Sequence, residues 1–453
     1  LRRQRQMCIR DSTHYTTAWV KQLRSWIKQN PRPVGAQSIL HPWATIDLAE
    51  RMKSSWPDSF FRHITSPAFT DENVILFVKS CIEQGRHLRR YNSGAGILNT
   101  NINAWEFSGL YTVGCVFPEC IEASEWRSFA AQKMHDQEYY QFYPDGAHIE
   151  LSPRYHIGTM DSILSLYKIA VINQRQAELP ANFLGRMEKA YEFILYQSAP
   201  TRLLPPYNDC GSANEDVRSY LSEGYQLFPQ RSDFSWLSGG STPPSRASHY
   251  FPYAGYAAMR SDWQRSANYL NFDTGPLGSS RHRHDDSLNL TLWAWGRELL
   301  FDSGGGSYEA GIWRTWGTSS YSHNCITIDG MDMEGGNGDN RATNPDYHAQ
   351  NPHSARWEST PQHDFAAGFY NRGYGGNYKH RPATQNRRVL FVKPDLYIIA
   401  DTMTPTDAAT HTYQARWHLL STNTSTAAAT QTIHTCDADL ANLAIAVSYT
   451  HLR

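Results

Sequence analysis

The sequence predicts an α+β multidomain protein: a helical first half of toroid or bundle type, then antiparallel strands packed as a β-sandwich. Three observations carry this. At 453 residues the chain exceeds one ordinary core, so two domains are the natural count. Apolar residues in the first half recur at helical spacing, in successive amphipathic segments. In the second half the apolar period falls to two, with turn residues between the runs.

The elements follow in order. Trp19, Val20, Leu23, Trp26 and Ile27 fit one face of a helix, as do Val74, Ile75, Phe77, Val78 and Ile82. Ser124 suits the N-cap of a helix carrying Trp126, Phe129, Ala130 and Met134. Segments 160–172 and 187–196 repeat the pattern. Helical hairpins in succession define residues 13–235 as one domain. Composition then shifts. Pro229, Gly239, Gly240, Pro243 and Pro244 fall among serines, which places a linker at 236–250. Residues 251–446 read as antiparallel β. Arg388–Lys393 and Leu396–Ala400 flank Pro394-Asp395 as a hairpin, and 411–420 alternates again. The Thr/Ala-rich tract 421–432 reads as loop or poorly ordered chain. Residues 1–12 and 447–453 share no periodicity with their neighbours. They read as non-native tails, similar to translated sequencing adaptor.

Bulk properties exclude several classes. The net charge is −1, so nothing in the whole-chain balance draws nucleic acid, and a polyanionic ligand would need a local basic patch. Seven cysteines, an odd number without a Cys-x-x-Cys, fit neither a zinc finger nor a disulfide scaffold. No run reaches the roughly 20 apolar residues of a membrane span. The 14 Trp, 26 Tyr and 18 Phe suit either large aromatic cores or surfaces on which sugar rings stack.

The densest chemical signal is His282-Arg283-His284-Asp285-Asp286, just before the alternating Leu288, Leu290 and Leu292. If the strand reaches back this far, both imidazoles face one side of it. Such a pair suits metal binding, proton transfer, or one of each. A further histidine lies in Ser322-His323-Asn324, ahead of the strand-like Cys325–Ile328.

Taken together, the motifs resemble the heparinase II/III family of polysaccharide lyases. In the first half the resemblance lies in Trp105-Glu106-Phe107-Ser108-Gly109-Leu110, Phe117-Pro118-Glu119, Trp126 and the run Gln141–His156, which includes Pro144-Asp145-Gly146 and Glu150-Leu151-Ser152-Pro153. In the second half it lies in Gly255–Ser261, the His282/His284/Asp286 motif, Gly296–Gly304 and Ser322-His323-Asn324. It spans residues 13–420 and implies an incomplete (α/α) toroid followed by an antiparallel β-sandwich, with the active site in a cleft between them. By the same comparison, some helices at the start and some strands at the end are missing. The Pro-Asp-Gly and Glu-Leu-Ser-Pro wording looks most like the heparan-sulfate lyase branch.

The resemblance also implies a chemistry, β-elimination from a uronic acid. A base takes the C5 proton, an acid protonates the C4 oxygen, and a donor neutralises the carboxylate. It puts the catalytic Tyr, an acid and also a candidate base, at Tyr155, either the second base or the group that lowers the Tyr pKa at His282, and the carboxylate clamp at Asn101. It puts one structural zinc at His284, Asp302 and His323, with Asp286 and Asn324 orienting the ligands. Gln141, Glu150, His156, Arg260 and Arg314 are candidate substrate contacts, and Asp209 belongs with them as a lesser candidate. The implied partner is an acidic polysaccharide, met in the periplasm or outside the cell. Three alternatives stay open: an alginate or other uronate lyase of the same family, a glycan-binding protein without turnover, and a glycoside hydrolase using Asp145 and Glu150.

Overall fold

The computed structural model describes residues 13–38, 41–92, 101–210, 216–276, 278, 282–306, 308–333, 355–375 and 381–448. Packing divides the chain into two units, residues 1–141 with 157–185, and residues 142–156 with 186–453.

The first unit is helical: α1 Thr13–Gln29, α2 Thr45–Glu50, α3 Trp56–His63, α4 Asp71–Tyr91, α5 Asn101–Val116, α6 Ala123–Gln141 and all but the first turn of α7, Pro153–Ile172. α1 buries Val20 and Leu23 as its spacing predicts, and Thr16 hydrogen-bonds to His63 Nδ1 at 2.9 Å. α4 departs from its predicted stripe. Ile75 is 67% exposed, while Asn73, Ser80, Gln84 and His87 are buried beside Phe77, Cys81 and Leu88. Its inner face is polar enough for Gln84 to accept a hydrogen bond from Arg51 Nε at 3.0 Å. Hydrophobicity alone misplaces a face on which Asn73, Ser80 and Gln84 find polar partners and His87 packs its ring against Trp43 and Tyr91. α6 begins at Ala123, and the Trp126 N–H already donates to the Glu122 carbonyl, so Ser124 sits inside the first turn rather than capping it. Much of the aromatic surplus is core here. Trp43, Trp126, Phe77 and Phe107 are buried, and Phe77 stacks on Phe60 at 5.3 Å.

The second unit holds the first turn of α7, then α8 Met187–Gln197, α9 Arg218–Leu227, the short α10 Ile312–Gly317 and the strands. A five-stranded antiparallel sheet runs in order β1 (His249–Phe251), β2 (Tyr256–Arg260), β3 (Tyr269–Asp273), β4 (Leu290–Ala294), β5 (Arg297–Leu300). A four-stranded sheet runs in order β10 (Leu396–Pro405), β9 (Ala383–Val392), β8 (His363–Tyr370), β7 (Arg356–Ser359). β6 (Ile326–Ile328) pairs with β11 (Tyr413–Ala415). The two larger sheets share one apolar core: Met259, Leu270, Phe272, Leu290 and Leu292 from the first meet Ala366, Val389 and Phe391 from the second. This is a sandwich, two sheets closing on their inner faces. The predicted α+β class, helices first and antiparallel sheets after, is the observed one. The hairpin across Pro394-Asp395 is present too, with Leu396 opposite Val392.

One local expectation changes. The 421–432 tract is not simply loop. Thr424–Ala427 forms β12, which pairs with β13 (Thr432–Thr435), itself paired with β14 (Ala444–Ala446). Thr and Ala are weak markers of an exposed strand, whose stability comes from cross-strand pairing. The Val447 N–H donates to the Gln431 carbonyl at 3.0 Å, so that residue is tied to this sheet, while residues 1–12 and 449–453 of the expected tails lie outside the described residues. The 236–250 stretch includes the end of a 3-10 turn (Ser232–Ser238) and the start of β1.

Candidate active site and metal cluster

Local backbone in the second unit brings the motif residues together. Pro144-Asp145-Gly146 makes a tight turn in which Gly146 has φ +92°, and a Cβ there would lie 2.0 Å from the Lys189 carbonyl. Asp145 is spent on structure. Its carboxylate accepts from the backbone N–H groups of Ala147, Tyr253 and Ala254. The chain then reaches Glu150 and enters α7 at Pro153, which places Tyr155 in the helix's first turn. His282 and His284 precede β4 in an irregular loop rather than on a strand, since β4 begins only at Leu290 and Leu288 has φ +63°. Their shared direction comes instead from Asn208 and Asp209. The Asn208 side chain donates to the Leu151 carbonyl at 3.1 Å and accepts from the His284 N–H at 2.9 Å. The Asp209 N–H donates to the His282 carbonyl at 3.0 Å.

The rings meet face to face. Tyr155 stacks on His282 with centroids 3.9 Å apart and 18° between planes. The Tyr155 hydroxyl lies 2.5 Å from that of Tyr308, which in turn lies 3.3 Å from His282 Nδ1. Asp209 Oδ2 sits 3.0 Å from His282 Nδ1, and Glu150 Oε2 lies 3.9 Å from His282 Nε2. Arg314, on α10, grips the same Asp209 carboxylate with both terminal nitrogens. Burial pushes the Asp209 carboxyl up, but hydrogen bonds from His282, His284 and Arg314 outweigh it and hold the group well below the usual carboxylate range. Burial raises the Tyr155 phenol above its ordinary value, only partly offset by its bond to Tyr308. Tyr155 therefore carries its proton at neutral pH, as a general acid must.

A second cluster adjoins this one. His284, Asp286 and His323 each offer a ligand atom, all within 4.8 Å of one another, and all three residues are buried. His284 Nε2 is bonded to Asp209 and His323 Nδ1 to Asp302 Oδ2, at 3.0 and 2.9 Å. The remaining nitrogens, His284 Nδ1 and His323 Nε2, are buried without a hydrogen-bond partner. Two orphaned imidazole nitrogens beside a carboxylate suit a divalent metal of zinc's preferences. Asp302, a predicted ligand, stands behind His323 and also accepts from Asn289 Nδ2 and the Gly304 N–H. Asn324 ties strands, donating to the carbonyls of Leu290 and Phe301.

Other predicted residues lie elsewhere. His156 is buried, bonds through Nε2 to the Ala190 carbonyl and stacks on Phe193. Arg260 is buried on β2, where its guanidinium donates to the Ser198 carbonyl and lies over Trp263 and Tyr269. Asn101 opens α5 and Gln141 ends α6, both buried in the first unit. Tyr308 escaped the sequence reading. It lies beyond the glycine run 304–306, a weak signal for a loop that approaches a site closely.

This chain belongs to the heparinase II/III family: the heparinase II/III N-terminus matches residues 8–236 and the heparinase II/III-like C-terminal region matches 243–448. Among curated proteins it is 24% identical to the heparin-sulfate lyase of Pedobacter heparinus over 327 residues, covering 70% of this chain and 49% of that one. It is 26% identical to the heparin-sulfate lyase of Bacteroides thetaiotaomicron over 347 residues, covering 69% and 48%. The chain thus spans about half the length of the curated relatives it matches. A crystal structure of heparinase III shares the fold with a TM-score of 0.79 at 20% identity, covering 95% of this chain and 66% of that one. A heparan sulfate lyase mutant from Pedobacter heparinus does so with 0.73 at 22%, covering 96% and 65%.

Proposed function

We propose that the protein is a polysaccharide lyase that cleaves a uronic-acid-containing glycan, heparan-sulfate-like, by β-elimination. The observation that carries this is the stacked Tyr155–His282 pair, whose phenol keeps its proton while the imidazole is held by a buried carboxylate. In this reading His282 takes the C5 proton through Nε2, and Tyr155 gives its proton to the departing C4 oxygen. Asn101 keeps the role the family resemblance implies, a donor to the uronate carboxylate, which makes the C5 proton acidic enough to leave. Gln141, Glu150 and Arg314 are proposed to support substrate binding. His156 and Arg260, sequestered in the core, are proposed only as structural supports. Zinc is proposed at His284, Asp302 and His323, with Asp286 as a further carboxylate, holding the loops together. A polymer substrate too large to cross a membrane places the work in the periplasm or outside the cell. No helix among the described residues is long and apolar enough to cross a membrane.

The hydrolase alternative loses its pair, because Asp145 is tied to three backbone N–H groups. The test is a screen of the purified protein against heparan sulfate, heparin, chondroitin, hyaluronan and alginate, read by ultraviolet absorbance. Elimination leaves a C4–C5 double bond conjugated to the carboxylate, which absorbs; hydrolysis leaves none. Heparan sulfate is expected to give the largest signal. Reducing ends without absorbance would overturn the lyase reading, and signal from alginate alone would overturn the substrate.

A further inference from the structure

Asp209 makes more polar contacts than its lesser place in the sequence reading warrants. Its side chain is almost wholly buried, yet it faces three cationic or titratable partners. Oδ2 meets His282 Nδ1 at 3.0 Å and Oδ1 meets His284 Nε2 at 3.0 Å. An ionised carboxylate only accepts, so both ring nitrogens must carry hydrogen. Arg314 closes on both oxygens at once, which fixes the plane of the carboxylate. Gly305 shows how tightly the arrangement is packed. It has φ +70°, and a Cβ there would lie 2.6 Å from the His284 ring and 2.8 Å from Asp209 Oδ1.

We propose that Asp209 is a positioning residue whose single carboxylate sets the tautomer and ring orientation of both histidines of the His-x-His pair. Holding hydrogen on His282 Nδ1 leaves the lone pair on Nε2. Holding hydrogen on His284 Nε2 leaves the lone pair on Nδ1, the buried nitrogen without a partner. One side chain thus serves the proton-transfer ring and the metal-ligand ring with opposite nitrogens. The geometry explains how residues two apart in an irregular loop act in different clusters. The catalytic half of the proposal rests on the reading of His282 as the base; the tautomer half does not.

The test uses the full chain with its histidine ring nitrogens labelled with ¹⁵N, at alkaline pH. In the wild type, His282 is expected as the Nδ1–H tautomer and metal-free His284 as the Nε2–H tautomer. Asp209→Asn keeps the size but turns one acceptor into a donor. It is expected to mix or invert the His282 tautomer, to weaken zinc binding about 10–100-fold, and to lower kcat about 10²-fold or more with KM little changed. A His282 that stays Nδ1–H in Asp209→Asn overturns the proposal, whatever the activity does. If that variant does not fold, the wild-type spectrum decides alone, and an Nε2–H tautomer at His282 overturns the proposal. A tautomer change in Asp209→Asn alongside a fully active His282→Ala would instead support the positioning role and remove His282 from the mechanism.

Discussion

Tyr155 and His282 are 127 positions apart in sequence, yet their rings stack at 3.9 Å. Each was legible because it sits in a long, distinctive motif. Tyr308 and Asp209 were less so, because their roles rest on contacts made from loops, and no periodicity marks such a residue. Tyr155→Phe tests the pair most cleanly. It removes one oxygen and keeps the ring, so the stack on His282 survives and packing barely changes. The proton for the C4 oxygen is lost, so product formation is expected to fall about 10²-fold or more. Binding of intact polymer, measured by calorimetry, is expected to persist. A variant that forms ultraviolet-absorbing product near the wild-type rate removes Tyr155 from the chemistry. His282→Ala is expected to abolish turnover as well, and activity retained on one uronate epimer would confine its role to the other.

The first turn of α7 shows what pattern reading misses at the scale of an element. Tyr155 and His156 are neighbours in one motif, but a helix turns them about 100° apart. One meets His282, while the other sinks against Phe193 and the Ala190 carbonyl. Burial drives the His156 pKa down to about 3, and burial also lowers its neighbour His148 well below the ordinary value. Both rings are therefore neutral in the fold and must take up protons on unfolding at acid pH. A depressed folded pKa means the stability is fully present above the unfolded value near 6.5 and is lost as pH falls toward 3. Each such ring costs about 1.4 kcal/mol for every pH unit below 6.5. Urea unfolding of the second unit is expected to show stability dropping steeply between pH 6.5 and 5. His156→Gln should be less stable at pH 7 but lose about one proton's worth of that slope. An unchanged slope in the variant would mean His156 is already protonated in the fold. The loop at 282–289 carries the same lesson. Alternating leucines suggest a strand reaching back to the histidines, but the left-handed Leu288 breaks it, and Arg387 Nη1 donates to the Leu288 carbonyl at 2.8 Å.

Across the whole chain the fold class was legible, because a change of apolar period from helical to alternating survives any error in single residues. The grouping of ligands was less so. Asp286 and Asp302 both lie near His323, and spacing along a sequence does not rank two carboxylates at one cluster. Metal removal measures what that cluster does for the protein. His284 precedes β4, Asp302 follows β5 and His323 precedes β6, so a bound ion would join three connections of the sandwich. Such a site stabilises the folded state by mass action, about 2.7 kcal/mol when free metal stands at 100 times its Kd. In a unit of this size that corresponds to a melting temperature about 4–5 °C higher. Protein purified without chelator is expected to hold one zinc per chain by elemental analysis. Chelation should lower the melting point and added zinc should restore it. His323→Ala removes an orphaned nitrogen from the cluster, so it should melt near the chelated wild type and no longer respond to zinc. Asp286→Asn and Asp302→Asn then rank the two carboxylates by how far each weakens zinc binding. A chelated wild type that melts where the untreated protein does, with no stoichiometric metal in either, would leave the two buried nitrogens as a metal-free polar cluster.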